Sequence, residues 1–217
     1  MTLLCGIDEA GRGPVIGPLV VAGVLIEERF NHKLRLIGAR DSKTLSPSKR
    51  ESLFEEIKKA VKAYEIIIIA PQDVDRAVQS DTMNLNWLEA LNMVTIINKL
   101  KPDKAILDCP SNNQKAFTEY VQKNLKHKNV EIFSEHKADA NHPTVSAASI
   151  LAKVTRDREI QKLKDYYKVD FGTGYPSDPM TKQFLERNWD KYNFFRKSWQ
   201  SYQDVLLKKQ QRRIGEF

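Results

Sequence analysis

Short apolar runs separated by amphipathic stretches make up most of the chain, and the runs have the length of strands. Aliphatic residues, many of them β-branched, dominate these runs, which favours strand over helix. The pattern predicts five strands, at Leu3–Ile7, Leu19–Ile26, Glu65–Ala70, Ala105–Leu107 and Val130–Phe133. The polar stretch that follows the second strand, Glu27–Arg40, is predicted to be irregular.

Apolar residues at helical spacing occupy much of the chain between the later strands. Ser46 is a favourable N-cap, and Pro47 fits the first position of a helix whose apolar stripe continues to Val61. Further helices are predicted at Asn84–Leu100, at Gln114–Leu125 and from Asn141 to about Asp165. The remainder, from Tyr175, is rich in aromatic residues and predicted to be mostly helical. Early strands that follow each other directly can pair antiparallel, whereas strands separated by helices favour parallel pairing. The order therefore predicts a five-stranded mixed α/β sheet flanked by helices, with a C-terminal helical segment.

Composition narrows the class of protein. The formal net charge of +7 and the pI of about 9.3 favour acidic partners, nucleic acid first. No apolar run reaches the roughly 20 residues that a membrane span needs. The N-terminus enters a strand without a charged leader, so we expect a cytoplasmic protein that does not act at a membrane. Cys5 and Cys109 lack a metal-binding spacing and are predicted to be small core residues.

Acidic residues lie at or beyond the ends of three predicted strands. These residues are Asp8, Glu9, Asp108 and Asp139. In open α/β sheets, sites tend to lie at that edge, and carboxylates are the ligands that Mg²⁺ and Mn²⁺ prefer. Single acids at strand ends are common, and Asp139 alone could simply serve the start of the following helix. Adjacent strand residues point to opposite faces, so Asp8 and Glu9 are expected to share a site only if the strand bends or bulges.

A glycine-rich turn, Gly11-Arg12-Gly13-Pro14, follows the first acids immediately. It is not a dinucleotide-binding fingerprint, because Pro14 intrudes and a strand rather than a helix comes next. A plain hairpin turn is the simpler alternative, but it leaves Arg12 between two glycines unexplained. The turn predicts a close approach of the backbone to a phosphate-bearing substrate.

The motif Ile7–Val21 strongly resembles the opening motif of type 2 ribonuclease H, ribonuclease HII, in its archaeal branch. The resemblance continues in family order through Asp41–Leu45, Leu107–Pro110, Glu135–Asp139, Ser146–Val154 and Gly172–Asp178. It implies a ribonuclease H-like fold and an endoribonuclease acting on RNA/DNA hybrids and on single ribonucleotides in duplex DNA. The products implied are 5′-phosphate and 3′-hydroxyl ends.

The resemblance also implies roles for individual residues. Asp8, Glu9, Asp108 and Asp139 match the four catalytic carboxylates, which would hold two divalent ions, Mg²⁺ or Mn²⁺, in the substrate complex. Gly11, Arg12 and Gly13 match the loop that meets the ribose 2′-hydroxyl, the group that distinguishes RNA from DNA. Tyr175 matches the tyrosine that packs on the following sugar. Cys109 stands where archaeal relatives often have serine, and no change of reaction is expected from it.

Basic residues outside these motifs are candidates for phosphate contacts. Lys43 is the first of them, and Lys153 and Arg156 on the long helix are weaker ones; an exposed helix face would explain these last two equally well. Basic residues also alternate with aromatic ones from Lys191 to Tyr202, a pattern that can grip nucleic acid. We expect Phe195 and Trp199 to dock on the core, and some of the basic residues Lys191, Arg196 and Lys197 to contact phosphates.

The last residues resemble the short peptide by which replication proteins bind the sliding clamp, with Gln211, Ile214 and Phe217 at the conserved spacing. Ile214 and Phe217 would share a helical turn and enter an apolar pocket. A chance match in a disordered tail is the alternative. We assign residues 1–210 to one catalytic domain and 211–217 to a flexible tail, and expect a monomer.

Two other functions are compatible with part of the pattern. A different nuclease or a strand-transfer enzyme of similar fold would use similar acids, but it would have no use for a loop that reads a 2′-hydroxyl. A non-catalytic nucleic-acid-binding module would gain nothing from four carboxylates facing phosphates.

Overall fold

The computed structural model describes residues 1–39 and 46–214, the last three as backbone only. Its strands are β1 Leu3–Ala10, β2 Leu19–Glu27, β3 Ala63–Ile69, β4 Lys104–Asp108 and β5 Glu131–Glu135. They form one sheet in the order β3-β2-β1-β4-β5. β1 pairs antiparallel with β2 and parallel with β4, and β4 pairs parallel with β5. The predicted mixed sheet of five strands is confirmed.

Helices fill most of the chain between and after the strands. They are α1 Asn31–Leu36, α2 Pro47–Ala60, α3 Pro71–Val78, α4 Leu85–Leu100, α5 Gln114–Asn124, α6 Ala138–Asn141, α7 Pro143–Tyr167, α8 Pro179–Asn188 and α9 Gln200–Ile214. The Ser46 hydroxyl accepts a hydrogen bond from the Lys49 N–H at 3.2 Å, and Pro47 opens α2. The predicted start of this helix is therefore confirmed.

Two segments differ from the sequence prediction. The stretch expected to be irregular contains a 3₁₀ turn, Glu28–Phe30, and the short helix α1. Leu34 is the only buried residue of α1, so no repeated apolar spacing marks this helix in the sequence. The helix α3 was also not predicted, although Pro71 stands at its first turn, where proline is well tolerated.

One compact unit comprises Met1–Ala10, Val20–Ile68 and Leu85–Thr155. Its core joins apolar side chains of β2, α2 and the first half of α7, including Val24, Leu53 and Leu151. Ala147, Ala148 and Ala152 of α7 are fully buried in this cluster. Small residues of this kind let a helix lie close to a sheet, as the sequence suggested.

A second compact unit comprises Gly11–Leu19, Ile69–Asn84 and Arg156–Phe217. Its core is aromatic, with Phe171, Phe184, Phe194 and Phe195 separated by ring-centroid distances of 5.2 to 6.3 Å. Phe195 is buried and Trp199 packs against the same cluster, which confirms that both dock on the core. The assignment of residues 1–210 to a single catalytic domain stays a prediction.

No helix within the described residues is long and apolar enough to span a membrane. Cys5 and Cys109 are both buried free thiols, as predicted.

Candidate functional site

The parallel ladder between β1 and β4 brings acidic residues together at its end. Its last pair is Ile7 with Leu107, so the next residue of each strand is an aspartate, Asp8 or Asp108. Carboxylate oxygens of Asp8, Glu9 and Asp108 lie within 4.8 Å of one another. Three of the four acids singled out in the sequence therefore form one cluster.

Glu9 joins this cluster without the expected bulge. The ladder between β1 and β2 pairs each residue from Leu3 to Ala10, including Asp8 with Ala22 and Glu9 with Val21. The pairing register shows no bulge there, so this part of the prediction is wrong. β1 is regular through Ala10, and the length of the glutamate side chain explains how its carboxylate reaches the same site.

The carboxyl of Asp8 has a strongly raised pKa. It is 4% exposed, and its Oδ1 accepts a hydrogen bond from the Glu9 N–H at 2.7 Å. Burial raises the pKa of Asp8 to about 8, and the negative charges of Asp108 and Asp139 add to this effect. A hydrogen bond from the Ser149 hydroxyl acts in the opposite direction. The site thus disfavours its own full negative charge, which a bound cation would neutralise.

Asp139 lies on the short helix α6, beyond the end of β5. The N–H of its neighbour Ala138 donates to Asp108 Oδ1 at 2.8 Å, which ties the start of α6 to the end of β4. Asp139 is buried and lines a cavity of about 320 Å³ together with Arg35 and His142. Its charge raises the pKa of Asp8, but among the described residues it does not belong to the cluster of Asp8, Glu9 and Asp108.

The N-terminal turns of α7 pack against β1 next to Asp8. A Cβ atom added to Gly6 would lie 2.3 Å from the carbonyl carbon of Thr144, so β1 and α7 touch through their backbones. This approach places Ser149 beside Asp8. Sequence reasoning did not assign a role to Ser149. In the sequence, Ser149 stands near the start of a helix rich in small residues. That position does not indicate a contact with Asp8 unless the packing of α7 on β1 is known.

The glycine turn belongs to the second compact unit, together with Tyr175. Gly11 has φ +89°, and a Cβ atom there would lie 2.7 Å from the Pro18 carbonyl oxygen, so this position requires glycine. The Tyr175 ring approaches Gly13, where an added Cβ would lie 3.5 Å from ring atom Cε1. Gly13 and Tyr175 therefore border the same surface.

Carbonyl oxygens of the turn are bound by the segment before α9. Arg196 donates from Nη1 to the Arg12 carbonyl at 3.1 Å and from Nε to the Gly17 carbonyl at 3.0 Å. Trp199 Nε1 donates to the Gly13 carbonyl at 3.1 Å. Arg196 is 0% exposed, so the prediction of phosphate contacts by the basic residues here is wrong for this arginine.

The loop that carries Tyr175 is fixed from two sides. Arg156 is 2% exposed, donates to the Thr173 carbonyl at 3.1 Å, and places its guanidinium 5.1 Å from the Tyr175 ring centroid. Asp178 accepts from the Thr173 N–H at 2.6 Å and from its hydroxyl at 2.9 Å. Arg156 is thus a support of this loop and not the surface phosphate contact suggested as one possibility.

Two histidines have hydrogen-bonding partners, and two of the predicted residues lie outside the described ones. His136 Nδ1 lies 2.9 Å from the Cys109 carbonyl, and His142 Nε2 lies 2.8 Å from Glu135. Lys43 and Phe217 fall outside the described residues. Gln211 is exposed, and the backbone of α9 remains helical to Ile214.

The donor set fits hard divalent cations. The described cluster offers carboxylate oxygens only, without the histidine or cysteine ligands that zinc sites usually contain. The oxygens come from two adjacent strands whose pairing holds them in place. The arrangement is suited to Mg²⁺ or Mn²⁺.

Comparison with a family model, with curated proteins and with solved structures gives consistent matches. The family described as Ribonuclease HII matches residues 5–202. A curated ribonuclease HII from Pyrococcus furiosus is 44% identical over 220 residues, covering 98% of this chain and 96% of the relative. The crystal structure of ribonuclease H2 from Pyrococcus horikoshii OT3 is 41% identical with a TM-score of 0.86, covering 94% of this chain and 97% of that one. The structure of the PCNA:RNase HII complex from Archaeoglobus fulgidus is 38% identical with a TM-score of 0.83, covering 93% and 96%. The expected ribonuclease H-like fold is confirmed.

Proposed function

The chain belongs to the ribonuclease HII family and is an endoribonuclease of the ribonuclease H type, and we propose that it cuts both the RNA strand of RNA/DNA hybrids and single ribonucleotides embedded in duplex DNA. The products are 5′-phosphate and 3′-hydroxyl ends. The observation that carries the proposal is the cluster of Asp8, Glu9 and Asp108, within 4.8 Å of one another, on the paired ends of two central strands.

Asp8, Glu9, Asp108 and Asp139 hold two divalent cations in the substrate complex. The raised pKa of Asp8, caused by burial and then by the charge of Asp108, supports this assignment because a buried carboxylate beside another acid is stabilised by a positive charge. When bound, the cations supply Lewis-acid activation of the phosphate and of water. Ser149 orients Asp8, and the Ala138 N–H orients Asp108.

The glycine turn, which begins at Gly11, two residues after Glu9, recognises RNA. Gly11, Arg12 and Gly13 present backbone groups to the ribose 2′-hydroxyl, and Tyr175 packs on the next sugar. The contact between the Tyr175 ring and Gly13 supports a shared role for these residues. Lys43 contacts a substrate phosphate.

One set of duplexes tests the activity. The protein is incubated with an RNA/DNA hybrid, a DNA duplex containing one ribonucleotide and an all-DNA duplex, each with Mg²⁺, Mn²⁺ or chelator. We expect cutting of the first two, only with metal, and a product end that a 3′-phosphate-specific enzyme leaves unchanged. Cutting of the all-DNA duplex would instead indicate a general nuclease, and binding without cutting would indicate a binding module.

A matched pair of variants ties the activity to the cluster. Asp108→Asn keeps an oxygen for the Ala138 N–H but removes a charge, so turnover should fall by orders of magnitude while the fold remains. Asp103→Asn is the control, because Asp103 is an exposed acid of the same sheet region that also accepts a backbone N–H, from Leu3. Equal activity of Asp108→Asn and the wild type at matched metal concentration would contradict the assignment.

The C-terminal residues Gln211, Ile214 and Phe217 bind a sliding clamp. Support comes from their spacing and from the Archaeoglobus fulgidus relative, whose structure is a PCNA:RNase HII complex. Deleting residues 211–217, proposed as a tail separate from the catalytic residues 1–210, should abolish clamp pull-down and spare cleavage of free duplex. Leu207→Ala, on the exposed side of α9, is the control. Unchanged pull-down after the deletion would disprove the clamp contact.

The protein acts as a monomer in the cytoplasm. Light scattering coupled to gel filtration tests the oligomeric state, with a mass near 25.0 kDa expected. A dimer mass would contradict it.

A further inference from the structure

We propose that Arg196 and Trp199 are positioning residues that set RNA specificity by fixing the orientation of two peptide units in the glycine turn. This inference rests on the proposed function of that turn. Neither side chain needs to touch substrate, since both act through the backbone of Arg12 and Gly13.

The orientation of each bound carbonyl also determines where the N–H of the same peptide unit points. In a trans peptide, the C=O of one residue and the N–H of the next point in opposite directions. The Arg12 carbonyl points to Arg196, so the Gly13 N–H points away from it. The Gly13 carbonyl points to Trp199, and its peptide has no N–H because the next residue is Pro14. The two peptides together therefore offer one donor, the Gly13 N–H, on the side away from these side chains.

The supporting side chains are themselves held firmly. The Arg196 guanidinium is fully buried and also binds the Gly17 carbonyl, so its planar fork connects the turn to the segment that follows it. It lies 4.8 Å from the Trp199 ring centroid, within cation–π range. The Arg196 N–H donates to the Val15 carbonyl at 2.8 Å, which fixes the backbone as well.

Rigid support of this kind matters because glycine peptides rotate easily. Gly11 and Gly13 have no side chain to restrict their dihedral angles. Without the two carbonyl contacts, the peptide between Arg12 and Gly13 would sample orientations that turn its N–H away from a 2′-hydroxyl. A lost hydrogen bond at this point therefore reduces selection of ribonucleotides more than it reduces binding of duplex.

Trp199→Phe tests the inference with little risk to folding. It removes the Nε1–H donor and keeps an aromatic ring beside Arg196. Tyr202→Phe is the matched control, because it also removes one side-chain bond to a backbone carbonyl, that of Trp189, in the same aromatic cluster. Four quantities are measured for each variant: kcat and KM on the duplex with one ribonucleotide, the inhibition constant of the all-DNA duplex, and the melting temperature.

We expect Trp199→Phe to lower kcat on the ribonucleotide substrate by about tenfold, a change of about 1.4 kcal/mol in the activation barrier. The inhibition constant of the all-DNA duplex should stay within twofold of wild type. Tyr202→Phe should leave both unchanged. Arg196→Lys, which keeps the charge but loses the fork, should show a larger kcat loss than Trp199→Phe.

Three outcomes would overturn the inference. They are a Trp199→Phe kcat within twofold of wild type, an equal loss in Tyr202→Phe, and a parallel weakening of all-DNA binding, which would indicate a purely structural role. A wild-type protein that leaves the ribonucleotide uncut would overturn the proposed function as well.

Discussion

Replacing Asp8 by asparagine should stabilise the metal-free protein while it destroys activity. Asp8 is buried among other acids, and its pKa is raised to about 8 from an ordinary value of 3.8. The unfolded chain releases this proton near pH 4, whereas the folded chain retains it to about pH 8. The carboxyl therefore costs folding free energy as pH rises through this interval.

The size of the stability gain expected for Asp8→Asn follows from the shift in the pKa of Asp8. Each pH unit between the two pKa values corresponds to about 1.4 kcal/mol, so the accumulated cost at pH 7 is about 4 kcal/mol. Asparagine does not ionise and keeps an oxygen for the Glu9 N–H. We expect a gain of about 2–4 kcal/mol at pH 7, or roughly 5–12 °C in melting temperature. Below pH 4 the wild type and Asp8→Asn should converge, and above pH 8 the difference should be constant.

Melting curves in chelator, recorded from pH 4 to pH 9, provide the assay. Asp103→Asn, an exposed acid of the same sheet region, is the control and should show no such gain. Added Mg²⁺ should stabilise the wild type and narrow its difference from Asp8→Asn, because a ligand that binds only the folded state stabilises it. An Asp8→Asn protein that melts at or below the wild-type temperature at pH 8, or a difference independent of pH, would refute this reasoning.

Three further substitutions have distinct expected outcomes. Gly11→Ala should destabilise the protein by about 1–3 kcal/mol in urea denaturation, because of the positive φ and the Pro18 carbonyl 2.7 Å from the new Cβ; unchanged stability would contradict the left-handed geometry. Asp178→Asn addresses the bonds from Thr173, which lower the pKa of Asp178 to about 2. The stability that Asp178 provides is present above its ordinary pKa of 3.8 and lost as pH falls toward 2, so the wild-type advantage in melting temperature should disappear over that interval, and a constant advantage would disprove the assignment. Ser149→Ala should lower kcat roughly 3- to 10-fold and raise the Mg²⁺ concentration needed for half-maximal activity, through loss of its hydrogen bond to Asp8; an unchanged metal titration would argue against this role.

The sequence was sufficient for the sheet and for most of the acid cluster, because both depend on local signals. Strands β1 and β4 are apolar runs, and each run is followed by an aspartate, which places Asp8 and Asp108 at one edge once the strands pair. The contribution of Glu9 was also anticipated, but with the wrong geometry. A regular strand with a long side chain replaces the expected bulge.

Residues that act through tertiary contacts could not be predicted from the pattern of residue types along the chain. Arg196 stands among basic and aromatic residues, a context that favours nucleic-acid contact, yet it is fully buried and binds the carbonyls of Arg12 and Gly17. Arg156 is likewise predicted to be an exposed helix residue or a phosphate contact, yet it is buried. A buried arginine is rare and has to be paired. Arg196 binds backbone carbonyls distant in sequence, and Arg156 binds the Thr173 carbonyl as well as its neighbour Asp157. The pattern of residue types along the chain does not reveal the contacts to backbone carbonyls.

The position of β1 explains how a costly carboxylate can be kept buried. β1 is the middle strand of the sheet, bonded to β2 on one side and β4 on the other up to Ile7, so its backbone cannot move to expose Asp8. The same burial that raises the pKa of Asp8 also removes competing water, so a bound divalent cation interacts with the carboxylates more strongly than it would at an exposed site. A site relaxed enough to ionise freely would hold metal less firmly. Weak stability of the metal-free protein and firm binding of metal are therefore two consequences of one arrangement, and they should change together in any variant that exposes Asp8.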